Sequence, residues 1–278
     1  FMGATLIRLN NLRSRQLVKA STNDSGMKRL GSWAILAGIA LGCGGKNTSS
    51  NVQSPGSEKT TKTEVLEAGA TALQDKTPVN RLEIYLNGFH FYNGQIKGQM
   101  EAHHYCTKLN EDLTQCVIYD GNGKDAKIMG VEYIVSEKLF KTLPADEKKL
   151  WHSHSYEVKS GELIAPGLPV AAEHELMETV VSTYGKTWHT WHTDQDLTLP
   201  RGNPALMMGF TKDGQLKPDM LADRDKRFNV STAEKRKNRA DIPSPPVQPG
   251  ANSWQSGEII QLPALTGHKH EHVKQNSF

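Results

Sequence analysis

The strongest constraint on this chain is the distribution of its apolar residues near the N-terminus. Residues 30–42 (LGSWAILAGIALG) form one run of thirteen apolar and small residues that ends directly before Cys43. A bilayer-spanning helix takes roughly twenty such residues, so this run is too short to be one. Residues 44–62 (GGKNTSSNVQSPGSEKTTK) then hold a single aliphatic side chain, Val52. A stretch of that composition cannot bury enough apolar surface to offset the entropy of ordering it. The core must therefore come from residues 64–262, a length of roughly two hundred that suits one domain.

Met27-Lys28-Arg29 puts positive charge just ahead of the apolar run. Charge, short apolar run and small residues together predict a signal peptide over 27–42. Arg8, Arg13, Arg15 and Lys19 precede any acid, which leaves 1–26 as a leader or a mis-start. The end of the run resembles the lipobox of bacterial lipoproteins. Gly42 fits the place before the cysteine, while Ala40 and Leu41 stand in the reverse of the usual order. The resemblance implies lipidation of Cys43 and, through that acyl anchor, membrane lipid as the partner. With no aspartate after Cys43, it also implies the cell envelope, at an outer membrane facing the periplasm. Two or three acyl chains hold a domain stably, whereas one holds it reversibly. The expected organisation is leader 1–26, lipoprotein signal peptide 27–42, disordered tether 43–63, globular domain 64–262 and loose polar tail 263–278.

Thirty-three basic and thirty acidic residues give a net charge of +3, which provides no general attraction to nucleic acid. The dense basic run Lys235-Arg236-Lys237-Asn238-Arg239 has no interleaved aromatics and reads as a solvated helix face.

Short segments follow one another without regular βα alternation. Residues 64–74 have helical character, and 81–92 mix aliphatic and aromatic residues. Residues 101–106 and 115–120 read as two strands joined by Asn110-Glu111-Asp112, and 127–136 as a further strand after Asp120-Gly121-Asn122-Gly123. A short helix is expected from Ser136, a strand over 150–158, and a helix over 171–184 closed by Gly185. Strands over 187–193 and 205–211 follow, then a helix over 232–239 capped by Ser231 and Glu234. The pattern predicts an α+β single domain with a mixed or antiparallel sheet and short helices.

Several segments share one resemblance: EAHHYC at 101–106, LNED at 109–112, GVEYIVSE at 130–137, WHSHSYEVKSG at 151–161 and YGKT at 184–187. These resemble the plant oil-body-associated proteins and their relatives, a family filed as a domain of unknown function. The resemblance covers roughly 79–262. It implies association with lipid bodies for the plant members and supplies no catalytic mechanism.

Eight of the eleven histidines fall between His90 and His192. In His152-Ser153-His154, two imidazoles two apart on a strand share one face. Neutral imidazole binds zinc, copper, nickel and iron, so a divalent transition metal such as zinc is the candidate cofactor. Glu157 would point to the opposite face of a regular strand. His-x-His with a following glutamate is similar to a cupin metal site, at shorter spacing. Partners are sought in His103 or His104, of which only one can face a given side, and in His189; His174 with Glu178 can add a ligand or an acceptor. The alternative is a semi-polar core of imidazoles packed on Trp151, Tyr156, Trp188 and Trp191. A metal with a nearby carboxylate would allow activation of water, although no nucleophile elbow or phosphate loop points to an enzyme. Cys106 and Cys116 lie nearly symmetrically about Glu111. They suit either a cross-strand disulfide or two buried free thiols. His268-Lys269-His270-Glu271-His272 reads as a solvated tail.

Overall fold

The structure is a computed structural model and describes residues 48–263. The expected leader, signal peptide, Cys43 and the histidine-rich tail lie outside the described residues. Two helices come first, α1 (Thr61–Leu73) and α2 (Thr77–Asn80). A meander follows: β1 (Ile84–Tyr92), β2 (Gln95–Asn110), β3 (Leu113–Tyr119) and β4 (Ile128–Val135). Next come α3 (Glu137–Thr142), α4 (Ala145–Lys148), the two-residue strand β5 (His152–Ser153), α5 (Ser155–Ser160) and α6 (Val170–Val180). The last elements are β6 (Tyr184–His189), β7 (Ala205–Met208), α7 (Pro218–Phe228) and α8 (Thr232–Asn238).

Every strand pairing is antiparallel, and the order β4-β3-β2-β1-β7-β6 closes on itself because β6 also pairs with β4. The result is a six-stranded barrel with short helices around it, within the α+β class that the sequence predicts. Closure removes free strand edges. β5 sits outside the ring, on the part of the β6 edge that β7 leaves free, with His152 opposite Gly185.

The register fixes what points inward. Leu86, His104, Ile118, Gly130, His189 and Ala205 are successive partners around the ring. The neighbouring ring runs Ile84, Cys106, Cys116, Glu132, Thr187 and Met207. Alternation along strands thus puts imidazoles and a carboxylate inside with Met100, Ala102, Ile118, Met129 and Met207. On the outer face, Phe89, Phe91, Leu206, Met208 and Phe210 pack beneath Met220 and Leu221 of α7 and Trp254. Each fully buried side chain of this size contributes ~2 kcal/mol. Cys106 and Cys116 face each other across β2 and β3, joined by a disulfide.

Several expectations change. The strand expected over 150–158 lasts two residues. His154 takes right-handed helical angles, and the chain turns into α5, which ends on Gly161 at φ 83°. The helix expected to reach Gly185 ends at Val180. There Thr183 caps the Val180 carbonyl with its hydroxyl, and Tyr184 and Gly185 open β6 instead. α7 escapes an apolar-periodicity reading because it is mostly charged. Pro218 starts it and Asn229, at φ 52°, ends it.

Part of the expected tether docks on the body. Asn122 receives a bond from the Thr48 amide and donates its own amide to the Thr48 carbonyl, Gln53 bonds the Leu197 carbonyl, and Val52 is buried. The basic run keeps its expected solvated face along α8, which buries no side chain, and departs from it at Arg239, just past the helix. Arg239 is buried and donates to the Val158 and Leu163 carbonyls, Lys235 pairs with Glu173, and Arg236 pairs with Asp213.

A buried histidine and glutamate cluster

Glu132 is the acid of an otherwise apolar inward row on β4, between Gly130 and Ile134, and it is 2% exposed. Its carboxylate gathers three imidazoles. Oε2 lies 3.1 Å from His104 Nε2, and Oε1 lies 3.3 Å from both His152 Nε2 and His154 Nε2. Burial raises the Glu132 pKa, but the contacts from His104, His152 and His154 outweigh it and hold the carboxyl well below its usual range. Glu132 is therefore a buried anion.

His90 of β1 joins from the opposite wall. Its ring lies 4.9 Å from that of His104 and 5.7 Å from that of His152, centre to centre. Its Nδ1 is 3.3 Å from His189 Nε2, and His189 Nδ1 is 3.2 Å from the Met100 sulfur. Burial, reinforced by His104, keeps His90 well below its usual pKa, and burial pushes His189 down to about 3. His152 is lowered as well, again chiefly by burial. These three rings are neutral at physiological pH.

The chain's turn after His154 brings Glu157 to the same place. Its carboxyl is buried and its pKa is raised well above the usual range, first by desolvation and then by Glu132 and Glu162. Two glycines make the room. A Cβ at Gly185 would overlap Glu132 Oε1 and sit 2.9 Å from His152 Nε2. At Gly209 it would lie 2.5 Å from Glu157 Oε2 and 3.0 Å from His152 Cδ2. Among the described residues, two sets present donor atoms within 4.8 Å of one another: His90, Glu132 and His152, and His152, His154 and Glu157. These are the side chains able to hold a metal.

Of the five histidines singled out from the sequence, His104, His152 and His154 meet at Glu132, and His189 reaches the cluster through His90. His103 does not belong. It points to the outer face, where Nδ1 bonds the Tyr85 hydroxyl at 2.8 Å and Nε2 lies 3.4 Å from Glu101. Adjacent strand residues face opposite ways, so choosing His104 excludes its neighbour. His192 lies beyond β6 and bonds the Asn203 carbonyl, and His174 pairs with Asp241 at the surface. His90 and Glu132 were missed. The available signal was a lone ionisable residue at an inward position of an apolar strand.

The sequence profile described as "Protein of unknown function (DUF1264)" matches residues 76–243, which include every member of the cluster. The chain belongs to the DUF1264 family. Its relatives include oil body-associated protein 1B of Arabidopsis thaliana, 44% identical over 218 residues, covering 78% of this chain and 90% of that protein. Oil body-associated protein 1A of Zea mays is 44% identical over 223 residues, with 78% and 94% covered. Oil body-associated protein 2C of Arabidopsis thaliana is 37% identical over 224 residues, with 79% and 94% covered. No solved structure matches this DUF1264 chain.

Proposed function

We propose that this chain works at a lipid surface, in a binding or structural role. One observation carries the reading: the three oil body-associated relatives described above align along nine-tenths or more of their own length. The likeness therefore spans nearly the whole length of those proteins and not a local motif. Among the described residues, no helix is long and apolar enough to cross a membrane.

The second part of the proposal is an acyl anchor on Cys43, which would hold the barrel at a bacterial-type envelope, on the outer membrane. It rests on residues 27–45 and is independent of the plant relatives, whose names speak only of oil bodies. Flotation of the full chain with phospholipid-coated triacylglycerol droplets tests the first part. Recovery in the floating layer is expected, and recovery only in the soluble layer overturns it. Intact-mass analysis of the chain purified from membranes of a bacterial host tests the second. A diacylglycerol-sized increment, lost with Cys43→Ser, is expected; an unmodified thiol sinks the anchor and leaves the surface reading standing.

A further inference from the structure

The cluster has more donors than it has hydrogen bonds. Neither ring nitrogen of His152 has a hydrogen-bond partner, although Nε2 is 3.3 Å from Glu132, so that contact is misaligned. Glu157 Oε2 is likewise without a partner, as is His104 Nδ1. All three residues are at least nine-tenths buried. A buried polar atom left unsatisfied is costly, and donor atoms of His152 and Glu157 lie within 4.8 Å of each other. Gly185 and Gly209 set the location. One lies against Glu132 Oε1 and His152 Nε2, the other against Glu157 Oε2 and the adjacent His152 Cδ2. His152 Nε2 therefore faces both carboxylates.

A self-contained hydrogen-bond network would match donors to acceptors. Here the unpartnered His152 Nε2 and Glu157 Oε2 sit beside Glu132 Oε1, and each can turn a lone pair to one point. A cation is the species that accepts them all.

We propose that this DUF1264 barrel binds one divalent transition-metal ion at His152, with His90 and Glu132 completing a two-imidazole, one-carboxylate set and His154 and Glu157 closing the other side. All the donors are nitrogen or oxygen. That chemistry suits zinc or iron(II) and disfavours copper(I), which seeks thiolate or thioether. His104, on the far oxygen of Glu132, orients the carboxylate. The ligands come from β1, β4, β5 and α5, so the ion would tie the barrel wall to the segment outside it.

The test is elemental analysis of the full chain purified without chelator, followed by titration of the chelator-stripped chain with zinc, and with iron(II) under anaerobic conditions. About one ion per chain is expected, rebinding at micromolar affinity or tighter with a rise in melting temperature. Glu132→Gln and His152→Asn should each weaken binding at least tenfold, as ligand or orienting changes do. Surface His174→Ala should leave it unchanged. No stoichiometric ion together with no rebinding by the stripped wild-type chain overturns the proposal, whether or not the variants fold. Rebinding that survives His152→Asn in a folded variant also overturns it. Flotation with lipid droplets is a separate readout, so either proposal can fail alone.

Discussion

Room for the cluster is made one residue at a time. Gly209→Ala puts a methyl 2.5 Å from Glu157 Oε2, and the neighbours there are ring and carboxyl atoms already packed. The expected cost is ~1–3 kcal/mol, read as a lower urea midpoint with unchanged slope. Glu162 gives a pH signature. Burial raises its carboxyl to about 7, against the opposing pull of Tyr156, Arg224 and Arg236, while Asp213 adds to the rise. Its folded pKa lies above the unfolded one, so its contribution is fully present below about pH 4.5 and is lost as pH climbs through 7, up to about 3 kcal/mol. Glu162→Gln, which keeps an acceptor for the Tyr156 hydroxyl, should flatten the fall in urea midpoint between pH 5 and 8. A parallel fall in the variant would exclude Glu162 as its source. Arg239 is a third case. Its guanidinium, buried beside Glu173, holds the carbonyls of Val158 and Leu163. Arg239→Met takes one of two cationic partners from buried Glu173, which keeps Lys235, and removes the side-chain donor from the Leu163 carbonyl, while the Val158 carbonyl keeps the Gly161 amide; the expected loss is ~3–5 kcal/mol in a thermal or urea melt.

At the scale of elements, the hairpin of β2 and β3 was legible because its signals are local. Asn110 bonds the Asp112 amide across the turn, and the cysteines on either side fall opposite each other. Closing a loop with a sequence separation of 10 stabilises by ~2–3 kcal/mol on chain-entropy grounds. Cys106→Ser with Cys116→Ser should therefore lower the melting point, and the wild-type chain under non-reducing conditions should weigh about 2 Da less than when reduced, the two hydrogen atoms (two protons and two electrons) given up per bridge. The capped helices α3 and α8 were legible for the same reason: Ser136 and Ser231 each accept the amide three residues on. What failed was non-local. The reading of 150–158 as a strand put Glu157 on the wrong face, because the chain leaves the strand at His154, whose helical angles open α5. Periodicity correctly separated His103 from His104 but could not say which faced inward. Only pairing of β4 with β6, far apart in sequence, shows Glu132 and His90 in one interior.

At the scale of the barrel, the Glu132 carboxylate and its imidazoles lie inside the ring, while Phe89, Phe91 and Phe210 lie outside it, under α7. This inverts the usual sheet pattern and explains why hydrophobicity alone did not locate the site. The ring is unevenly fastened. β1 pairs with β2 at nine positions and with β7 at two, Phe91 with Met208 and Tyr92 with Met207. Next to that short join, Gln261 receives the Leu206 amide and donates to the carbonyls of Leu206 and Asn93. A glutamine side chain thus imitates the missing strand backbone. Residue 261 lies beyond the 76–243 stretch that defines the family match, so a fragment trimmed to that stretch would carry every ligand-bearing segment and lack the clasp. Gln261→Ala should speed deuterium uptake at Leu206 while leaving the β2–β3 amides slow. A hoop with one weak rivet opens there first, and the small polar hook that guards it is the part a boundary drawn by similarity would discard.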